Sequence, residues 1–314
     1  MSDLARRKVE VTFTFYGDGS TVTLKNHAVI CDIASGGLES GVMCQIRIYG
    51  MSLSRMNQLS TSQTGFIAQT LNSITVKAGA EGEALRPVFQ GDIVQAFVDF
   101  SGVPDVAFNV TGLSMGAINA KPASPVSYPD GARVQDIMAT LAVNAGLMFH
   151  NNGVDAALPG SLYFSGTCTD QIRDCANAAR ISWLVSMNTL SIWPQNFALP
   201  SDISGLPEIS EATGMVDYPS YYAGGVNVQT FFNPLINFRD AFNLKSQYSP
   251  ASMISNYGVP LASSAGEVVR PATEGVWIVQ NVRHSIASET LGGPWFTMIT
   301  ASRSTQTGTS DFAR

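Results

Sequence analysis

The clearest strand signal in the sequence is VMCQIRIYG, residues 42–50. Every second residue of this stretch is apolar, which is the period of a strand that buries one face. The apolar positions are Val42, Cys44, Ile46 and Ile48. Similar alternation on both sides predicts further short strands at 9–15, 22–24, 74–78, 93–100 and 106–111. Short strands separated by glycine-containing turns, such as Gly17-Asp18-Gly19, favour a β-barrel or a β-sandwich for this part of the chain.

The middle of the chain has a helical period. Val134, Ile137, Met138 and Leu141 follow i, i+3, i+4, i+7 spacing, which predicts a helix that ends at Gly146. About 35 residues later, Thr167 or Thr169 can cap a second helix, whose apolar positions are Ile172, Cys175, Ala176 and Ala179. Strand signals follow each helix, so this region reads as two similar small α/β units.

The last third returns to β-patterning. Apolar residues alternate at 226–232, 276–286 and 295–301, and the residues after Ser302 are polar. The sequence therefore predicts two β-rich regions with an α/β region between them.

The composition favours a chain that buries surface against partners. Charged residues make up 13% and hydrophobic residues 45%, whereas soluble domains average about 25% charged. The net charge of −6 argues against a nucleic-acid binder held by phosphate contacts. The sequence has no apolar run long enough for a transmembrane helix and no signal-peptide pattern, so we expect no membrane insertion and folding in a cytoplasm.

One motif allows an enzymatic alternative. Residues 112–116 read GLSMG, which fits the G-x-S-x-G turn of serine hydrolases, and Asp217 or Asp240 followed by His284 has the required order. Pro122 and Pro125 follow closely and should leave no room for the nucleophile helix. We therefore expect Ser114 in a turn or at a strand end, with no histidine near its hydroxyl. A serine esterase that uses Ser114 and His284 remains the alternative function.

The cysteines and histidines predict no metal, cofactor or catalytic site. Cys168 and Cys175 lie i, i+7 on one helix face, about 10.5 Å apart along the axis, whereas a disulfide requires Cα atoms within about 7 Å. Cys44 lies on the apolar face of its predicted strand and Cys31 follows the apolar pair Val29-Ile30, so both should be structural. The three histidines are scattered and lack the spacing of metal ligands. His284 falls at the same alternating positions as the apolar residues of its strand, as a hydrogen-bonded core histidine would.

The order of these segments resembles the hub family of phage baseplates, which includes late-control D-like tail proteins and the hub portion of type VI secretion spikes. Residues 42–50 resemble the family's strand that ends in a Tyr-Gly turn, and VFQGDI at 88–93 resembles its next strand entry. TLSIWP at 189–194 resembles the end of its paired α/β modules, and FFNP at 231–234 the approach to a second barrel. The likeness extends over residues 9 to 302.

The resemblance implies an α+β fold with two antiparallel β-barrel domains and a small α/β insertion between them. The expected boundaries are 1–120 for the first barrel, 121–207 for the insertion, 208–303 for the second barrel and 304–314 for a polar tail.

It also implies a structural, non-enzymatic homotrimer in the virion tail baseplate, assembled in the host cytoplasm. The trimer would adapt a sixfold tail tube to a threefold spike. Its partners would be its own copies, tail tube proteins, a spike or tail-tip protein and other baseplate proteins, with DNA passing through the lumen. A contractile tail is expected and a non-contractile tail is the close alternative. A carbohydrate-binding β-protein is weaker, because the sequence shows no clear exposed aromatic cluster.

The expected interface residues form an aromatic-rich stretch between two turns: Tyr218, Tyr221, Tyr222, Phe231 and Phe232. Such a stretch carries more apolar surface than an isolated loop normally exposes. We therefore expect these rings to be buried, either in the second barrel or between subunits.

Overall fold

The computed structural model describes residues 6–35, 41–60, 71–120, 122–196, 203–222, 225–246 and 274–303. They are mostly antiparallel β-strands with a few helices, which confirms the α+β class. The chain divides into two compact units: residues 1–195 with 285–294, and residues 196–284 with 295–314. The predicted polar tail, 304–314, lies outside the described residues.

The first unit begins with a sheet of antiparallel strands. Its strands are β1 (Arg7–Thr14), β2 (Thr21–Leu24), β3 (Val29–Ser35), β4 (Val42–Tyr49), β5 (Ser73–Ala80), β6 (Arg86–Asp99) and β7 (Ala107–Leu113), with helix α1 (Leu53–Leu59) after β4. They are ordered β3-β4-β7-β6-β5-β1-β2. The pairings among the described strands do not close a barrel, so the barrel stays a prediction.

Side-chain alternation explains why these strands fold against one core. Val9, Val11 and Phe13 of β1 are at most 3% exposed, while the residues between them are half-buried. Phe13 meets Phe108 of β7 with ring centroids 6.4 Å apart, and each large apolar side chain buried this way contributes about 1.5–3 kcal/mol. The turn into β2 forms as predicted, with the Asp18 carboxylate accepting the Ser20 N–H at 2.9 Å.

Residues 285–294 join the first unit through its N-terminal strand. Glu289 forms ion pairs with Arg6 and Lys8, and the Arg7 guanidinium donates to the Gly293 carbonyl at 2.7 Å. This late segment of the chain is therefore held to the first strand by charge-assisted hydrogen bonds.

The α/β part of the first unit follows β7. Its elements are α2 (Gly116–Ala120), β8 (Val126–Tyr128), β9 (Ala132–Arg133), α3 (Val134–Ala145), β10 (Met148–Asn151), β11 (Ala157–Leu158), β12 (Leu162–Phe164), α4 (Cys168–Ala179), β13 (Ile181–Ser186) and β14 (Thr189–Pro194). Gly146 ends α3 in the left-handed conformation, and Thr167 caps α4 in a capping box with Asp170, as the sequence predicts.

Both helices contribute to one core with a three-stranded sheet ordered β10-β14-β13. The predicted stripe of α3 is buried there, and so are Ile172 and Cys175 of α4. The α/β part is therefore a single packed layer of helices on a sheet.

The second unit is a smaller β-structure. Its elements are β15 (Glu208–Ile209), a 3-10 helix (Glu211–Thr213), β16 (Met215–Tyr222), β17 (Gly225–Phe231), β18 (Ala241–Leu244), β19 (Gly275–Ser288) and β20 (Trp295–Ser302). The order is β16-β17-β20-β19, β18 pairs with β19, and β15 runs parallel to β18. The core contains Trp277, which is fully buried beneath the Arg303 guanidinium, 4.4 Å from the ring centroid.

Candidate functional site

The second unit presents a sheet face formed by β16, β17 and β20 whose cross-strand rows carry no charged side chain; Asp217 of β16 is exposed outside these rows, in the bulge between Val216 and Ser220. Alternate residues of these strands point into the core, among them Val226, Val228 and Ile299. The residues between them point outward, and those of neighbouring strands lie side by side in rows across the sheet. We call this set the uncharged face, and it consists of Val216, Ser220, Asn227, Gln229, Phe231, Phe296, Met298 and Thr300. It contains no Asp, Glu, Lys or Arg, unlike the solvated face of an ordinary antiparallel sheet.

A stacked aromatic pair dominates this face. Phe231 and Phe296 are directly opposite each other on β17 and β20, with ring centroids 6.4 Å apart and planes inclined by 20°. Phe231 is 58% exposed. A rigid aromatic pair on a sheet offers apolar area to a partner at little cost in side-chain entropy.

The predicted interface residues separate into three groups. Tyr218 and Phe231 are more than half exposed, so the core of the second unit does not bury these two, and burial between subunits is what the expectation leaves for them; Tyr218 lies at a β-bulge of an edge strand. Phe232 is half-buried, 4.8 Å from the Trp295 ring and 5.5 Å from His284 between centroids. The backbones of Tyr221 and Tyr222 lie in β16, and their side chains are outside the described ones. Burial of these rings between subunits stays a prediction.

Phe296 and Met298 were missed from the sequence. The alternation of Trp295, Thr297, Ile299 and Ala301 indicates the buried parity, and it is also the signal that Phe296 and Met298 point outward. Two apolar residues at positions of a strand that face solvent were the available clue to this face.

Ser114 is engaged by the backbone. It lies in the turn after β7, where its hydroxyl accepts the Val42 N–H at 2.9 Å and donates to the Val185 carbonyl at 2.7 Å. Its proton is therefore used in the fold, and the serine ties β4 and β13 to the end of β7. This geometry confirms the predicted turn and does not support the esterase alternative.

The expectation that the prolines leave no room for a helix after Ser114 was wrong. Helix α2 forms in five residues, because the Asp92 carboxylate accepts the Ala117 N–H at 2.7 Å at its first turn. The helix ends before Pro122, so the strand–turn–helix context exists without a histidine bonded to the serine.

Replacing Ser114 with alanine should lower the free energy of unfolding by about 1–3 kcal/mol, because it leaves the Val42 N–H and the Val185 carbonyl without partners. Urea unfolding of the full chain measures this change. Ser127→Ala, at an exposed position of β8, is the matched control and should change stability by less than about 0.5 kcal/mol. Hydrolysis of a chromogenic ester that is lost in the Ser114 variant would contradict this structural role.

His284 is a core histidine, as predicted. It is 8% exposed, and its Nδ1 lies 2.9 Å from the Thr297 hydroxyl, which also accepts the Asn233 N–H. Burial lowers the pKa of His284 to about 4. The imidazole is therefore neutral near pH 7 and serves the packing of the second unit.

All four cysteines are buried and free. Cys31 and Cys44 lie on adjacent strands with sulfur atoms 3.5 Å apart. Burial raises the pKa of Cys44 well above its usual value and that of Cys175 to about 12. The thiols of Cys44 and Cys175 are therefore protonated near pH 7, and all four cysteines act as small core residues.

Among the described residues, no three or more His, Cys, Asp or Glu side chains cluster so that they could hold a metal ion. None of the helices in the described part of the chain is both long and apolar enough to cross a membrane.

Several solved structures share this fold. A tail protein from Neisseria meningitidis matches with a TM-score of 0.56 at 10% identity, over 95% of this chain and 97% of that one. The 43 kDa tail protein of prophage MuSo2 from Shewanella oneidensis matches with a TM-score of 0.55 at 10% identity, over 94% and 98%. A type VI secretion component from E. coli, similar to T4 bacteriophage tail proteins gp27 and gp5, matches with a TM-score of 0.50 at 10% identity, over 94% and 77%.

The sequence itself matches a family. No curated protein sequence matches the chain at a significant level. The profile of the family described as baseplate hub gp41 matches residues 8–259, which is most of the chain. The chain belongs to the baseplate hub gp41 family of tail proteins.

Proposed function

We propose that the chain forms a homotrimer that joins a tail tube to a spike and adapts sixfold to threefold symmetry. Family membership makes it a baseplate hub protein with a structural role in a tail. A ring with an odd number of copies requires two different contact surfaces on each chain, since a self-complementary surface pairs copies by twos. The observation that carries the proposal is the uncharged face, because paired rows without charge that hold the exposed Phe231 stacked on the half-buried Phe296 suit burial in an assembly.

The proposal includes two barrels, one in each β-rich region. Its domains are 1–120 and 208–303, with the α/β insertion at 121–207 between them. Both units consist mainly of antiparallel strands with alternating burial. The first unit also exposes apolar side chains on a sheet, with Met43 38% and Phe97 44% exposed. Three chains with two similar barrels would offer six docking positions to the tube.

The remaining parts of the proposal concern the particle. The hub would sit in the baseplate of a contractile tail, contact tube, spike and other baseplate proteins, and assemble in the host cytoplasm. Its lumen would pass duplex DNA. The net charge of −6 supports this role, because a strongly basic wall would retain the genome.

The trimer is testable with the purified full chain. Native mass spectrometry should give a species of about 100 kDa, three times the chain mass of 33.4 kDa. Fusion to an unrelated monomeric protein should raise this mass by three copies of the added protein. A monomer or dimer at every concentration would contradict the proposal.

A further inference from the structure

The hairpin formed by β6 and β7 ends in an exposed turn, residues 100–105, which we call the hairpin tip. All its residues are exposed, including the apolar side chains of Phe100 at 56% and Val103 at 69%. The Val103 N–H donates to the Phe100 carbonyl at 3.3 Å. The Asp105 N–H donates to the Gly102 carbonyl at 2.8 Å. The tip is therefore ordered before it meets a partner, and an ordered apolar turn binds at a low cost in conformational entropy.

The hairpin tip also carries one available carboxylate. Asp105 is exposed and forms no ion pair with any residue that the structure describes. Asp99, at the end of β6, instead accepts the Ser101 N–H at 2.9 Å and so uses its carboxylate within the hairpin. The tip therefore presents one carboxylate beside two exposed apolar side chains.

A pocket of about 380 Å³ in the first unit has the complementary chemistry. It is lined by the end of β2, the residues that follow it and the start of α1. Leu24 and Met51 are its apolar side chains, and Lys25, His27 and Arg55 are its nitrogen-bearing ones. A cavity of this volume is large enough for a small ligand or for side chains of a partner.

Arg55 is the cation of the pocket that can receive a carboxylate. It is exposed and has no ion-pair partner within the described part of the chain. Lys25, in contrast, already pairs with Glu10 at 3.2 Å. A carboxylate that enters the pocket therefore meets an unpaired guanidinium, whose planar fork can bind both carboxylate oxygens.

The hairpin tip and the pocket both belong to the first unit. The tip residues are exposed in the folded chain, so they do not fill the pocket of their own copy. We infer that the hairpin tip of one copy enters the pocket of a second copy. The apolar side chains of the tip pack against the apolar wall of the pocket, and the Asp105 carboxylate binds the Arg55 guanidinium. This inference rests on the self-assembly in the proposed function, because tip and pocket are two different surfaces, as a threefold ring requires.

Exchanging the two charges tests the contact. In sedimentation velocity of the full chain, Asp105→Arg and Arg55→Glu should each raise the dissociation constant of self-association by about tenfold or more, because each places like charges together. The double variant Asp105→Arg/Arg55→Glu restores an ion pair and should return the constant to within about threefold of the wild type. Glu83→Arg/Arg86→Glu makes the same charge exchange at two other exposed positions and should leave the constant unchanged.

A second measurement uses the wild type alone, so that it does not depend on the folding of a variant. In hydroxyl-radical footprinting, Phe100 of the tip and Met51 of the pocket should both react more slowly in the oligomer than in the dilute chain. The reason is that the contact covers both side chains at once.

The outcomes separate this inference from the trimer itself. Single variants that associate like the wild type, a double variant that restores nothing, or a Phe100 that reacts equally in both states would overturn the inference and leave the trimer intact. Weakening by Arg55→Glu alone, with no effect of Asp105→Arg, would also overturn it and assign the pocket to another acidic ligand. A wild type that never associates would overturn both proposals.

Discussion

Acidification from about pH 7.5 to about pH 4 is expected to destabilise the second unit by about 3 kcal/mol through His284 alone. The imidazole is neutral in the folded unit because burial lowers its pKa to about 4, whereas the unfolded value is 6.5. A histidine whose pKa is lower in the folded state than in the unfolded state stabilises the folded state. This stabilisation is complete when the pH is above the pKa of the unfolded state, and it is lost as the pH falls toward the pKa of the folded state. The expected window of loss is therefore pH 6.5 to 4.

The packing around the ring explains why protonation costs so much. His284 lies against the Phe232 ring and bonds the Thr297 hydroxyl, and burial is the cause of its shift. A charged imidazole in this site would lose its hydration without gaining a carboxylate partner. Burial also raises the pKa of Asp240 in the same unit, which adds stability as the pH falls and partly offsets the loss.

A neutral substitute isolates the histidine from other titrating groups. His284→Gln should remove about 3 kcal/mol of pH dependence from urea unfolding curves, measured from pH 7.5 to pH 4. His150→Gln replaces an exposed histidine and should leave the wild-type pH dependence unchanged. A His284 variant with the full wild-type pH dependence would show that another group is responsible.

Introducing a charge on the uncharged face should prevent assembly with little effect on folding. Phe231→Glu places a carboxylate beside Phe296, and burying it against a partner without a cation is costly. We expect the dissociation constant of the trimer to rise at least about 30-fold, the effect of losing an aromatic interface anchor. Because Phe231 is 58% exposed, the free energy of unfolding should change by less than about 1 kcal/mol.

The matched control is Val143→Glu on α3, where the valine is 74% exposed and lies outside the face. Its trimer should be as stable as the wild type in sedimentation and native mass spectrometry. If Phe231→Glu assembles as well as the control, the uncharged face does not lie in the subunit contact.

Local patterns in the sequence predicted the elements whose cause is local. Val42 to Ile48 alternates as the strand requires, α3 ends at Gly146, and Thr167 caps α4, because spacing and capping act within a few residues. One of the aromatic candidates, Phe231, lies on the uncharged face, and its burial between subunits stays a prediction.

Features that depend on distant contacts or on irregular backbone were not predictable in this way. In β6 an irregular register between Ile93 and Gln95 changes the parity, so that Val94 and Gln95 are both exposed in a strand that reads as regular. In β16 a bulge between Val216 and Ser220 places Tyr218 toward solvent. The order of strands that pairs β4 with β7 is likewise set by packing of the whole unit.

The proposed homotrimer is tested most directly by the copy number and symmetry of this chain in a reconstructed tail, determined by cryo-electron microscopy. We expect three copies around the axis, with their β-rich regions forming six similar positions against the tube and the uncharged faces covered. A ring of six copies, a dimer, or three copies that leave Phe231 and Phe296 open to solvent would contradict it.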